Sequence, residues 1–330
     1  DFEDALARFT HSHNAVAVVN GTAALHSALT VLGVKPGDEV ITQALSFVAT
    51  SNAIAHCGAK PIFVDVDIDT MGMSPNALRR WLIENTTSRD GELINRKTNA
   101  TIKACLPMHT FGMPCRIKEI SDVCDKFGLY LLEDCAEALG SFVDNSHVGS
   151  FGAVATFSFN GNKVITCGGG GMVVTDSDQI AARLRHLTTT AKVPHPFEYY
   201  HDEVAFNYRM PNLNAALGLA QMESLPTMLA EKSYITEQYN KFCQQHDFRL
   251  AKPIDGSTSN NWLNALILDN RSERDHFLNF TNSRDVMTRP IWTLLSDLPM
   301  YQSCQKDTLQ HSSWLRDRVV NVPSSAFEKE

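Results

Sequence analysis

Short runs of apolar, β-branched residues alternate with helical patterns over about two thirds of this 330-residue chain. That alternation predicts a parallel sheet with crossover helices. The first unit shows it: Ala15 to Val19 reads as a strand, Asn20-Gly21-Thr22 as a turn, and Ala23 to Leu32 as a helix with Leu25, Leu29 and Leu32 on one face. Gly33 and Pro36-Gly37 end that helix. Further strands are expected at Glu39 to Thr42, Pro61 to Val66, Ile102 to Met108, Leu129 to Glu133, Ala153 to Phe159 and Gly171 to Thr175. Between them, Ser74-Pro75 caps a helix through Trp81, and Arg116 to Phe127 forms another before Gly128.

After Asp176 the texture changes. A helix from about Asp178 to Leu187 is followed by an irregular stretch, Lys192 to Arg209, then by a helix from about Asn212. A segment that long inside a compact domain predicts a role over a site or a subunit interface. From about Pro226 a long helix leads to a strand at Trp262 to Leu268 and a helix at Ser272 to Asn279. The expected division is a large domain over 1–225 and a small α/β domain over 226–330.

Composition narrows the classes of function. At roughly 150 residues per domain the length allows one large core and a smaller one. With 43% hydrophobic and 20% charged residues the chain is globular, and no apolar run approaches the ~20 residues of a bilayer span. Asp1 to Arg8 is acidic and mixed, unlike a signal peptide. The net charge of −8 gives no general attraction to nucleic acid or anionic membrane. Eight cysteines (57, 105, 115, 124, 135, 167, 243 and 304) lie singly, without a CxxC pair, and read as reduced core residues of a cytoplasmic protein. The chain begins without Met in what reads as a helix under way and ends at Lys329-Glu330 after a strand-like run, so trimming at both ends is expected.

Ligands gather at the carboxyl ends of parallel strands, and three such ends carry chemistry. Asn20-Gly21-Thr22-Ala23-Ala24 places backbone N–H groups and a hydroxyl at a helix N-terminus, which suits a phosphate and equally suits a plain cap. The G-x-G-x-x-G and P-loop patterns are missing there, which disfavours a Rossmann oxidoreductase and an ATP site. The strand ending Glu133-Asp134 sends its two carboxylates to opposite faces, so one faces the site, although Asp134 would also cap the Cys135 to Ala138 turn. Third, Thr156 to Lys163 runs from a strand into a polar turn, followed by Gly168 to Gly171, where backbone can approach something closely. A lysine amine, an acid and a phosphate cradle on neighbouring strand ends are the parts that bind pyridoxal 5′-phosphate.

Five ordered segments, Asn20-Gly21-Thr22-Ala23-Ala24-Leu25, Ser46-Phe47-Val48-Ala49-Thr50, Glu133-Asp134-Cys135-Ala136-Glu137, Ser158-Phe159-Asn160-Gly161-Asn162-Lys163 and Phe206-Asn207-Tyr208-Arg209-Met210-Pro211, make the chain resemble the DegT-like sugar-nucleotide aminotransferases. The resemblance covers nearly the whole chain. It implies the fold-type I α/β architecture, a mostly parallel central sheet with flanking helices plus a smaller C-terminal α/β domain. Glu137, Met210 to Asn214 and Thr288-Arg289-Pro290-Ile291-Trp292 look most like the branch making UDP-4-amino-sugars of the bacillosamine or legionaminic acid type. The family has a further N-terminal segment, part of which approaches the substrate, ahead of where this chain begins.

By this resemblance Lys163 attaches the cofactor and shuttles the proton, and Asp134 keeps the pyridine nitrogen protonated. Phe47 matches the ring that stacks on the cofactor, while Gly21, Thr22, Ala23 and Ser158 match the phosphate cradle. Glu137 matches a position beside the ring hydroxyl. Asn207 matches a residue supplied by the neighbouring subunit, so a homodimer with shared active sites is implied. Arg289 is a candidate for the nucleotide diphosphate, or a surface arginine; His56 and His109 are expected to be structural. No metal site is expected. The implied reaction moves an amino group from an amino acid, glutamate as expected donor, to the 4-keto carbon of a UDP-linked 4-keto-6-deoxy sugar. A GDP- or dTDP-keto sugar and a non-catalytic or regulatory protein are the alternatives. The related dehydratases carry histidine in place of the lysine, and the regulatory reading lacks a basic helix-turn-helix.

Overall fold

The computed structural model describes residues 1–326, so the expected end at Lys329-Glu330 lies outside the described residues. Seven strands form the main sheet: β1 (Asn14–Val18), β2 (Glu39–Gln43), β3 (Lys60–Val64), β4 (Ile102–Leu106), β5 (Tyr130–Asp134), β6 (Val154–Ser158) and β7 (Gly171–Thr175). Their order across the sheet is β1-β7-β6-β5-β4-β2-β3. All run one way except β7, which pairs antiparallel with both β1 and β6. The six strands that share a direction therefore bring their carboxyl ends to one edge, and the glycine run that precedes β7 lies there too. At Gly171 a side chain would overlap the carbonyl of Asn20, which is the close approach that the glycines permit.

Helix α1 (Phe2–Thr10) precedes this sheet. Helix α2 (Gly21–Val31) follows β1 because Asn20 caps it, its side chain accepting from Ala23 N–H at 2.8 Å. The small Ala23, Ala24 and Ala28 with Leu25 and Leu29 bury its inner face in a core shared with β1, β4 and β6. Each buried leucine there contributes about 1.5–3 kcal/mol. Helix α3 (Val48–His56) packs against it, while α4 (Pro75–Asn85), capped by Ser74, and α5 (Ile117–Phe127), ended by left-handed Gly128, share a second core. Helix α6 is Asp178–Thr188.

Helix α7 runs without interruption from Asn212 to His246, 35 residues or about 50 Å, with Pro226 inside it. The expected division between residues 225 and 226 falls within this helix. Beyond it an antiparallel sheet comprises β8 (Arg249–Leu250), β9 (Asn264–Ile267), β10 (Arg289–Pro290) and β11 (Val319–Val322), with α8 (Arg271–Asn282) and α9 (Gln310–Arg316). The stretch read as irregular, 192–209, holds a two-stranded ribbon pairing Lys192–Val193 with Tyr200–His201. No helix among the described residues is long and apolar enough to cross a membrane.

Candidate active site

A cleft of about 940 Å³ lies between the carboxyl edge of the main sheet and the small sheet. Gly21, Thr22, Phe47, Asp134, Glu137, Ser158, Lys163 and Arg289, eight of the residues singled out from the sequence, line it.

Asp134 is the last residue of β5 and is buried. Its Oδ2 accepts from the Thr50 hydroxyl at 2.8 Å and its Oδ1 from Ala136 N–H at 3.1 Å, so it both faces the cleft and caps the following turn. Burial pushes its carboxyl above the usual range, against the pull of the Thr50 hydroxyl. Glu133 points to the opposite face, as strand alternation requires. There it accepts the N–H groups of Gly149, Phe151 and Gly152 and meets His109 Nε2 at 3.2 Å. The other nitrogen of His109 accepts from Cys115 N–H, so this histidine is structural as expected.

Lys163 stands in the turn after β6, its N–H donating to Asn160 O at 3.0 Å. Its Nζ lies 3.4 Å from Glu137 Oε1 and 4.1 Å from the centroid of the Trp262 ring. Glu137 is buried and its carboxyl is pushed up to about 7 by burial, against the attraction of Lys163. Its Oε2 accepts from Phe111 N–H at 3.0 Å.

At the other end of the cleft, a side chain on Gly21 would come 2.8 Å from Ser158 Cβ, so the two strand ends are in close contact. The cap takes the N–H of Ala23 through the Asn20 side chain and that of Ala24 through the Asn20 carbonyl. Gly21 and Thr22 supply the remaining donors of the first turn. The N–H of Ala23 donates to the Asn20 side chain and its methyl is packed in the core, and it does not line the cleft. Phe47 is half exposed over the cleft, unlike a plain core phenylalanine.

These residues fit pyridoxal phosphate. Asp134 is a buried acid whose described partners are neutral donors, which leaves it suited to a charged ring N–H. The Gly21–Ser158 contact and the first turn of α2 suit a phosphate, and Phe47 offers a free aromatic face.

On the small sheet, Arg289 and Asn321 are direct cross-strand partners and both line the cleft. The Arg289 guanidinium donates to Asn282 Oδ1 at 3.0 Å and to Thr288 O at 2.9 Å. Asn321 Nδ2 is buried without a hydrogen-bond partner. Asn207 does not line this cleft; it is exposed in the segment before α7, bridged to Thr189. Thr50, Trp262, Trp292 and Asn321 were not singled out from the sequence. Thr50 and Trp292 lie inside motifs that were, whereas Trp262 and Asn321 enter through tertiary contacts that leave no local pattern.

The DegT/DnrJ/EryC1/StrS aminotransferase family matches residues 1–328. The chain belongs to this family. Among its relatives, the GDP-perosamine synthase of Vibrio cholerae is 38% identical over 326 residues, 98% of this chain and 84% of that protein. The GDP-perosamine synthase of Escherichia coli O157:H7 is 36% identical over 329 residues, again 98% of this chain and 84% of the relative. The crystal structure of a family member from Brucella abortus superposes with a TM-score of 0.89 at 25% identity, covering 100% of this chain and 85% of that one. As a member of the family, the protein is a pyridoxal phosphate-dependent aminotransferase of the sugar-nucleotide type, and its α/β architecture is that of the family.

Proposed function

We propose that the protein transfers an amino group from an amino acid, with glutamate as the expected donor, to the 4-keto carbon of a nucleotide-linked 4-keto-6-deoxy sugar, and that the nucleotide is GDP. One observation carries the reaction: Lys163, Asp134 and the Gly21–Ser158 cradle face a single cleft. The GDP assignment rests on two relatives, each over a third identical along nearly the whole chain, whose names place the sugar on GDP. A UDP sugar is the second reading, supported by Glu137, Met210 to Asn214 and Thr288 to Trp292.

When bound, the cofactor supplies an electron sink for the negative charge left as a proton leaves carbon. Lys163 would hold the cofactor and, once released, carry that proton on Nζ. Asp134, fixed by Thr50 and Ala136, would hold the proton on the ring nitrogen. Thr22, Gly21 and Ser158 would bind the phosphate, and Phe47 would lie against the ring. Arg289, with the unpartnered Asn321 amide beside it, offers donors to the diphosphate or to sugar oxygens. The residues 1–225 and 226–330 act as two domains around the cleft, in a cytoplasmic enzyme.

We also assign a homodimer in which Asn207 enters the partner's cleft. Exposed Phe197, Tyr199, Tyr200 and Val204 lie just ahead of it in the chain and Leu213 and Leu217 just after, an apolar surface of the kind subunits cover.

The test begins with the visible spectrum of the protein mixed with pyridoxal phosphate, before and after glutamate. Formation of the lysine–cofactor band, and its bleaching by glutamate, are the expected results. Then 4-keto-6-deoxy sugars on GDP, UDP and dTDP are compared by product formation, with the GDP sugar expected to have the highest kcat/KM. Preference for the UDP sugar would move the second reading to first place. Failure to form the band would leave a non-catalytic protein.

A further inference from the structure

We propose that Glu137 is the proton acceptor for Lys163, taking a proton from Nζ onto Oε1 so that the amine is uncharged when it adds to a carbonyl carbon. The step breaks one N–H bond and forms one O–H bond, and it converts an ion pair into a neutral pair without changing the net charge. It rests on the reading of Lys163 as the lysine that attaches the cofactor.

The geometry prepares this transfer on every side. Glu137 has one oxygen on Phe111 N–H at 3.0 Å, which leaves Oε1 turned to Nζ at 3.4 Å. Phe111 itself adopts a left-handed backbone at φ 58°, a conformation disfavoured outside glycine, and its N–H reaches Glu137 from there. On the other side of Nζ stands the Trp262 ring, whose Nε1–H donates to Asn162 O, next to Lys163, at 2.7 Å. Both flanks are mounted on one asparagine. The Asn260 amide donates to Glu137 O at 2.8 Å and Leu139 O at 2.9 Å, and its oxygen accepts from Trp262 N–H at 2.9 Å.

The charges around the pair favour a protonated Glu137. Its side chain is 2% exposed and that of Lys163 13%, so separated charges are held with little water to solvate them. Asp134 is the other acid acting on Glu137, and its repulsion works in the same sense as burial. From the 109–113 turn Glu137 meets a backbone N–H, and from the small lobe Lys163 meets a neutral indole. His109 and Glu133 are paired with each other on the opposite face of β5. A carboxyl at about 7 is half ionised at neutral pH and able to receive a proton there, where an ordinary lysine, near ~10.4, stays charged.

A carboxylate that merely paired with the ammonium would have the opposite effect, holding the amine in its unreactive charged form. The sign of a substitution therefore decides. The apoenzyme is mixed with pyridoxal phosphate, and separately with pyridoxal, which lacks the phosphate. The visible lysine–cofactor band is followed by stopped flow from pH 6 to pH 9. In the wild type the rate should rise with a midpoint near 7. Glu137→Gln should slow it about 10²-fold at neutral pH with both reagents, and Glu137→Asp, which keeps a carboxylate, should recover part of the loss. A Glu137→Gln rate equal to or above the wild type would overturn the proposal. If that variant does not fold, a Glu137→Asp profile with no rise near 7 does the same. Absence of any band in the wild type would instead refute the reading of Lys163 on which the proposal stands.

Discussion

At the scale of single residues, β5 separates two jobs by the alternation of its last two positions. Glu133 holds the backbone of 149–152 and His109, while Asp134 faces the cleft. Asp134→Asn keeps the shape and the contact to Thr50 but removes the charge that holds a proton on the ring. The half-reaction with glutamate, followed as bleaching of the cofactor band in a single turnover, should slow by about 10²–10³ while the band itself still forms. Lys163→Ala should bind cofactor without forming the band and should show no turnover. His147 sets a different kind of limit. Burial lowers its pKa to about 4; Gly140 N–H donates to its Nε2, and its Nδ1 meets the Val148 carbonyl, so the neutral ring is the one the fold accepts. Unfolded, the same ring titrates near 6.5. Between 6.5 and about 4 the unfolded chain therefore binds more protons, and this contribution to stability, full above 6.5, is lost as pH falls through that window. It amounts to roughly 3 kcal/mol. Glu137, raised by burial, acts in the opposite sense in the apoprotein, so the comparison must be between variants. The urea-unfolding free energy of His147→Gln should fall less steeply than the wild type between pH 6.5 and 4.

At the scale of elements, the 109–113 turn is where a small change reaches furthest. Gly112 sits at φ 87°, and a side chain there would overlap Asn260 Oδ1. Gly112→Ala should therefore displace the asparagine that carries both Glu137 and Trp262, costing about 2–4 kcal/mol in chemical denaturation. What the sequence makes legible is of the same local kind. Strand β2 and the start of α6 stand within a residue of their expected positions, and Ser74 caps the helix it was expected to cap, while Asn20, read as part of a turn, caps α2 two residues ahead of the expected start. Each depends on hydrogen bonds and apolar spacing within a few residues. The reversed direction of β7, the ribbon within 192–201 and the placement of Trp262 over Lys163 depend on partners far along the chain, which no local pattern encodes. Pro226 was read as a start, and it lies inside α7, where packing outweighs the lost N–H.

At the scale of the whole molecule, the cleft of one chain contains Lys163 and Asp134, and Asn207 stands outside it. If Asn207 serves the partner's cleft, the lysine and the asparagine of one working site belong to different chains, and two defective chains should repair each other. In a heterodimer of Lys163→Ala with Asn207→Ala, the cleft of the Asn207→Ala chain has its lysine and receives an intact Asn207 from the partner. The other cleft lacks both. Random mixing makes half the dimers hybrid, with one working cleft in two, so about a quarter of wild-type activity should return. Were Asn207 to serve its own chain, each cleft would keep its own defect and mixing would restore nothing. Leu213→Asp with Leu217→Asp, which charges the exposed face at the start of α7, should give a monomer by sedimentation and abolish the complementation. Recovery of activity in the mixture, lost again with those two substitutions, establishes that the site is shared; failure to recover it, with both parent variants folded, assigns the exposed apolar face a role other than completing the active site.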